Sequence, residues 1–292
     1  MLIKELSHSF VPNRIVSLVP SITESLFDLD LGKFVVGRTR YCVFPKGKVE
    51  QINVVGGTKD ADYESILRCE PDLVIANQEE NSKELVEKLD HNGNKILLIF
   101  PKSVNDTINL LFNIAQTYPN TDALQKIVLL QKIVEIQNLS VQGKKGFSYF
   151  APIWCGREKE NAHWWMTFND LTYSSDVLKL FNGHNIFGQL ERKYPQAEMV
   201  AHKPADVAGE QDTRYPIISE ALLRQEDPEM IIFPDEPYPF SDDEIGAFCA
   251  KFKNLRAVQD HNIIKMDGTL INWHGTRLAR ALSVLPEIFN LH

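Results

Sequence analysis

The chain has 292 residues, 43% of them hydrophobic, and a formal net charge of −8 from 31 Lys and Arg against 39 Asp and Glu. That length and apolar content suit one large or two ordinary domains with a real core. The acidic balance argues against a nucleic-acid partner, which needs clustered Lys and Arg. Cys42, Cys69, Cys155 and Cys249 form no CxxC pair and no Cys/His ladder, so buried reduced thiols are expected rather than a zinc site. The first residues, MLIKELSHSFVPN, hold no apolar run of secretory length, and no run of about 18 apolar residues occurs anywhere. A cytoplasmic protein without a transmembrane helix is the expectation from these features.

In chain order, residues 14–20 (RIVSLVP) read as an apolar strand ending at Pro20-Ser21. Ser21 or Thr23 can cap a helix over 22–29, with Glu24 in the first turn, where the helix dipole favours a carboxylate. Val35-Val36-Gly37 is a second short strand, and Gly56-Gly57 marks a tight turn. Residues 63–69 then read as helix, 72–76 as a buried strand, 82–91 as helix and 95–100 as strand. Residues 121–142 contain neither Gly nor Pro, and Leu124, Ile127, Val128, Val134 and Val141 repeat at helical period. Such a helix runs about 30 Å and acts as a stiff strut. Beyond Gly143 and the solvated turn at Lys144-Lys145 the alternation restarts. It gives strand 146–152, helices 173–181 and 217–225, strand 230–233, helix 244–252, strand 262–266 and a closing helix 276–289.

Strand–helix alternation at this spacing predicts an α/β fold with mostly parallel sheets. The boundaries place an N-terminal lobe at 1–120, the interlobe helix at 121–142 and a C-terminal lobe at 143–292. The lobes also echo each other: residues 64–75 (ESILRCEPDLVI) resemble 220–232 (EALLRQEDPEMII), with Asp227 as the extra residue. Pseudo-symmetric lobes make the cleft between them the expected ligand site.

No phosphate-binding glycine loop, nucleophile elbow or paired metal-ligand histidines occur, so no enzyme activity is expected. A thiol nucleophile at Cys42, activated by neighbouring Arg40, is the one alternative, and no histidine is visibly paired with it. Instead, aromatic residues crowd the segments after strands: Tyr41 and Phe44, Trp154, Trp164 and Trp165, Tyr238 and Phe240, Trp273. Open α/β sheets bind ligands at the carboxyl ends of their strands, and aromatic rings give rigid contact area to a flat ligand. Arg40, Glu79, Glu80, Asn81, Glu236 and Arg277 supply the polar groups that would orient amides or carboxylates.

Residues 14–24 (RIVSLVPSITE), 36–42 (VGRTRYC), 55–58 (VGGT) and 72–76 (DLVIA) together resemble the helical-backbone class of ABC-importer binding proteins. That class includes cobalamin, haem and iron-siderophore receptors. The resemblance runs over roughly residues 14–291 and is closest to a cobalamin-binding group without an export signal. It implies two lobes on one helix, with Tyr41 at the pocket beside the ligand-binding candidate Cys42, Tyr215-Pro216 as its second-lobe aromatic, Glu64 docking on permease arginines, and Glu220 as its second-lobe counterpart if Asp227 is the inserted residue. Thr58 stands where the cobalamin receptors carry a pocket tryptophan. Residues 191–214 are longer than the family norm and hold a competing aromatic-Pro pair, Tyr194-Pro195. The resemblance implies a monomeric solute-binding protein for a corrinoid or similar planar metal-chelate, with no cofactor of its own and an ABC permease as partner. A cytosolic tetrapyrrole sensor or carrier, and haem or siderophore binding, are the alternatives.

Overall fold

The computed structural model describes residues 1–7, 9–119, 121–157, 163–192 and 212–289. The chain divides into two compact units, one of Met1–Glu135 with Trp273–Arg280, the other of Ile136–Asn272 with Ala281–His292. Residues 273–280, placed in the second lobe by sequence, therefore belong to the first unit.

The first unit is built on β1 (Leu2–Ile3), β2 (Ile15–Ser17), β3 (Val35–Arg38), β4 (Asn53–Val54), β5 (Leu73–Asn77) and β6 (Ile96–Ile99). They form one parallel sheet in the order β1-β6-β5-β2-β3-β4. Every residue of β5 is buried, as expected of a parallel strand covered on both faces. The helices are α1 (Pro20–Asp28), α2 (Tyr63–Arg68), α3 (Lys83–His91) and α4 (Val104–Gln116). Asp62, Ser82 and Ser103 cap α2, α3 and α4 by accepting from backbone N–H groups. In α1 neither expected cap serves: Pro20 opens the helix, where its missing N–H costs nothing, and Ser21 and Thr23 lie inside it.

Helix α5 (Ala123–Ser140) buries Ala123, Ile127, Leu130 and Val134. The boundary between the units falls within it, between Glu135 and Ile136. Among the described residues, no helix is long and apolar enough to cross a membrane.

The second unit holds β7 (Phe147–Phe150), β8 (Trp154–Arg157), β9 (His163–Met166), α6 (Tyr173–Lys179), β10 (Gly183–Asn185), β11 (Ile217–Ser219) and α7 (Glu220–Glu226). Then come β12 (Met230–Pro234), α8 (Asp242–Lys251), α9 (Arg256–Gln259), β13 (Ile263–Met266) and α10 (Thr269–Asn272), and α11 (Arg277–Ile288) closes the chain. Its main sheet is parallel, in the order β10-β7-β12-β13, and a small antiparallel sheet runs β11-β9-β8. The helix expected over 217–225 is a strand followed by a shorter helix, since Pro216 and two β-branched isoleucines favour extension before Ser219 caps α7.

The internal echo has a backbone counterpart. Glu70 after α2 (φ 46°) and Asp227 after α7 (φ 42°) both adopt the left-handed conformation, and each precedes a proline and a central strand. Asp227 is thus the equivalent of Glu70 rather than an inserted residue. Each lies eight residues after the residue that caps its helix, Asp62 and Ser219, so the two segments align without an extra position.

Candidate functional site

In the first unit the carboxyl ends of β3 and β5 carry the candidate residues. Tyr41, past β3, is 53% exposed. Beside it Arg40 makes a bidentate pair with Asp60, Nη1 to Oδ1 at 3.0 Å and Nη2 to Oδ2 at 3.0 Å. Gly57 permits this: a Cβ there would stand 2.1 Å from Asp60 Oδ1 and 2.5 Å from Arg40 Nη1. Phe44 and Trp273 meet edge to face at 6.0 Å, and the Arg277 guanidinium lies 4.5 Å from the Phe44 centroid.

Beneath these groups is a buried polar network. Arg277 Nε donates to Glu24 Oε2 at 2.8 Å, and its Nη2 lies 2.7 Å from Oε1. Burial pushes the Glu24 carboxyl up even though Arg277 opposes it. Asn77 Oδ1 accepts from the Glu79 N–H, which fixes the amide so that Nδ2 donates to His274 Nε2 (3.1 Å) and Glu80 Oε1 (3.1 Å). His274 Nε2 is therefore the acceptor, and Nδ1–H donates to Ser21 Oγ at 3.3 Å. Burial depresses this imidazole to about 4, so it is neutral at physiological pH. Asn81 ties three strand-end segments together, donating to Leu18 O and Thr58 O and accepting from the Asn77 N–H.

The second unit offers Trp154, 37% exposed, packed edge to face on Tyr238 at 5.2 Å. The Tyr238 hydroxyl donates to Glu244 Oε1 at 2.6 Å, and that bond raises its pKa. Tyr215 is half-buried beneath Arg214, 5.2 Å from its ring centroid. A pocket of about 290 Å³ between β8–β9 and α8 is lined by Trp165, Phe233, Phe240 and Phe248, with His163 and Lys251. That volume sits at the lower edge of the range of about 300–1,000 Å³ for drug-sized ligands.

Five residues expected at the ligand are buried. Cys42 is fully buried and hydrogen-bonded by Thr23, and burial raises its thiol despite bonds from Thr23 and Thr39. It is no activated nucleophile, and Arg40 is committed to Asp60. Trp164 and Trp165 are each 5% exposed and lie within β9 rather than beyond a strand. Trp165 stacks edge to face on Phe248 (5.5 Å) and Phe252 (5.4 Å), while the Trp164 ring lies across Gly156, where a Cβ would come within 2.2 Å. Asn81 and Arg277 are buried structural bridges. Glu80 and Trp273 stay half-buried, and Tyr194-Pro195 lies outside the described residues.

The two docking candidates differ. Glu64 is exposed in the first turn of α2. Glu220 opens α7, bonded to Lys251 Nζ and accepting from the His163 N–H. Burial raises its carboxyl, but these two partners outweigh burial and leave it below the ordinary range. Sequence reasoning missed His274, Asn77, Glu24 and Asp60. Only the adjacency of His274 to Trp273 could have drawn attention to the first.

Two α/β units with exposed aromatic rings at the carboxyl ends of parallel strands define a ligand-binding class of protein. The chain belongs to the periplasmic binding protein family, matched over residues 15–270, whose members are solute-binding proteins and not enzymes. A vitamin B12-binding protein of Photorhabdus laumondii is 24% identical over 215 residues, 70% of this chain and 74% of that protein. Among solved structures, the periplasmic vitamin B12-binding protein BtuF of Vibrio cholerae superposes with a TM-score of 0.73 at 20% identity, covering 97% of this chain and 98% of BtuF. The periplasmic haem-binding protein RhuT of Roseiflexus gives 0.71 at 17% identity, covering 95% and 97%.

Proposed function

We propose that this chain binds a corrinoid or a closely related planar metal-chelate and hands it to an ABC import system. One observation carries the reading: among the described residues, the exposed aromatic side chains are Tyr41 and Trp154, one in each unit, each a few residues past a parallel strand. Burying a ring from water in a monomer is favourable, so exposed rings at strand ends are surfaces kept for a ligand. The vitamin B12-binding relatives support the corrinoid. Exposed Glu64 suits docking on a cationic permease surface, whereas Glu220 must first leave Lys251.

Haem is the second reading, favoured by the exposed phenol of Tyr41, since a tyrosinate can ligate haem iron. Absorbance and calorimetric titrations with cobalamin, cobinamide, haem and a ferric siderophore separate the two. Tyr41→Ala and Trp154→Ala should each weaken cobalamin binding by about 1–3 kcal/mol. Tyr41→Phe should leave cobalamin binding nearly intact but weaken haem strongly. Failure of all four ligands to bind sinks both readings, and fractionation of the native host separates an importer component from an intracellular carrier.

A further inference from the structure

Apart from the exposed Trp154, the second unit holds a cavity whose walls are rings. It measures about 290 Å³ and lies between the β8–β9 hairpin and α8. The rings run unbroken: Trp165 to Phe248 at 5.5 Å, Phe248 to Phe233 at 5.3 Å, Phe233 to Phe240 at 5.0 Å and Phe240 to Tyr238 at 4.7 Å. All but Tyr238 are buried. Each ring is held by the next, so none can swing inward to close the space, and protein interiors leave few voids of this size. Gly156 can line the cavity only with backbone atoms, and β8 is the outer strand of its sheet. A hydrogen-bonding backbone edge therefore adjoins the rings.

Charge at both ends of the cavity is already matched. Glu244 and Lys251 line it from opposite ends of α8, about 10 Å apart along the helix axis. At one end Glu244 Oε1 accepts from the Tyr238 hydroxyl, and Oε2 from the N–H and hydroxyl of Ser241. At the other, Lys251 Nζ bonds to Glu220 and donates to His163 Nδ1 at 3.2 Å, which makes that imidazole neutral with its proton on Nε2. An entering ion would have to displace one of these partners, whereas an uncharged ring gains burial and disturbs none of them. A cavity of about 150 Å³ holds one benzene ring, so roughly twice that volume suits two fused rings. We propose that this cavity binds a small uncharged aromatic molecule of two fused rings with a single N–H or O–H group, of the indole or naphthol class.

Calorimetric titration of the full chain with indole and with 2-naphthol is expected to give one site, with a dissociation constant between micromolar and millimolar. Indole-3-acetate and tryptamine, an anion and a cation on the same ring, should each bind roughly tenfold more weakly, because each must displace a matched partner. Ala247 is an exposed residue of α8 that lines the cavity, so a larger side chain there narrows the space from outside the core. Ala247→Trp should abolish binding and Ala247→Phe weaken it, with far-UV circular dichroism confirming the fold of each. Lys251→Met leaves Glu220 without its cation and should raise tryptamine affinity roughly tenfold at low salt. Failure of both neutral probes to bind at millimolar concentration overturns the proposal. So does binding that both Ala247 variants leave intact, or a preference of the unaltered chain for either ion. No corrinoid enters these titrations, so their outcome is independent of the ligand proposed above.

Discussion

The two units are held together by different chemistry. The first carries at its strand ends a network of directional bonds: Glu24 with Arg277, Asn77 with His274, and Asn81 spanning three segments. The second is filled by rings, with Phe233, Phe240, Phe248, Phe252 and Trp165 in mutual edge-to-face or tilted contact at 4.6 to 5.5 Å. Bonded networks are intolerant of losing one partner, because the other stays buried and uncompensated. Ring clusters are intolerant of volume changes instead. Each unit therefore has its own weak point.

The largest effect should come from splitting the buried ion pair. Arg277→Ala leaves Glu24 without its cation and should cost about 3–5 kcal/mol in urea unfolding, most of it recovered by the apolar double variant Arg277→Met/Glu24→Leu. Equal stability of the single and double variants would remove the distinction drawn between the units.

Next is the pH dependence of the first unit. His274 is depressed from 6.5 to about 4 in the folded chain, so between those values the unfolded chain binds a proton that the folded chain does not. Stability therefore falls as pH drops through that window, by up to roughly 3 kcal/mol. His274→Gln should flatten this part of the profile. A profile unchanged by that substitution would mean that another group governs acid sensitivity.

The smallest effect should arise in the second unit. Gly156→Ala drives a methyl group into the Trp164 ring and should cost about 1–3 kcal/mol, with no change in the pH profile. Near-neutral behaviour would show that the hairpin can shift to admit the methyl.

Much of the architecture was legible because parallel strands buried on both faces announce themselves as apolar runs such as 72–76, and because stretches without Gly or Pro, such as 121–142, mark helices. Helix α4 escaped notice: Asn105, Thr107, Asn109 and Asn113 have poor intrinsic helix propensity, and burial of Val104, Ile108 and Leu111 overrides it. The β8–β9 hairpin was hidden by reading its tryptophans as loop residues. The candidate site was less legible for a related reason. Trp154, Trp164 and Trp165 share one hairpin and one chemistry, yet only Trp154 is exposed, and that difference is set by what packs on each face. Cys42 and Arg277 likewise looked available to a ligand in sequence because the partners that occupy them, Thr23 and Glu24, are brought there by the fold.

The return of residues 273–280 to the first unit has a consequence for how the protein is made. A ribosome that has finished residue 135 has still not supplied His274 or Arg277, so Asn77 and Glu24 wait for these two partners while residues 136–272 of the second unit emerge. At about 5–20 residues per second that delay is on the order of 10–30 s. The unit that begins first is thus completed only after most of the other has emerged.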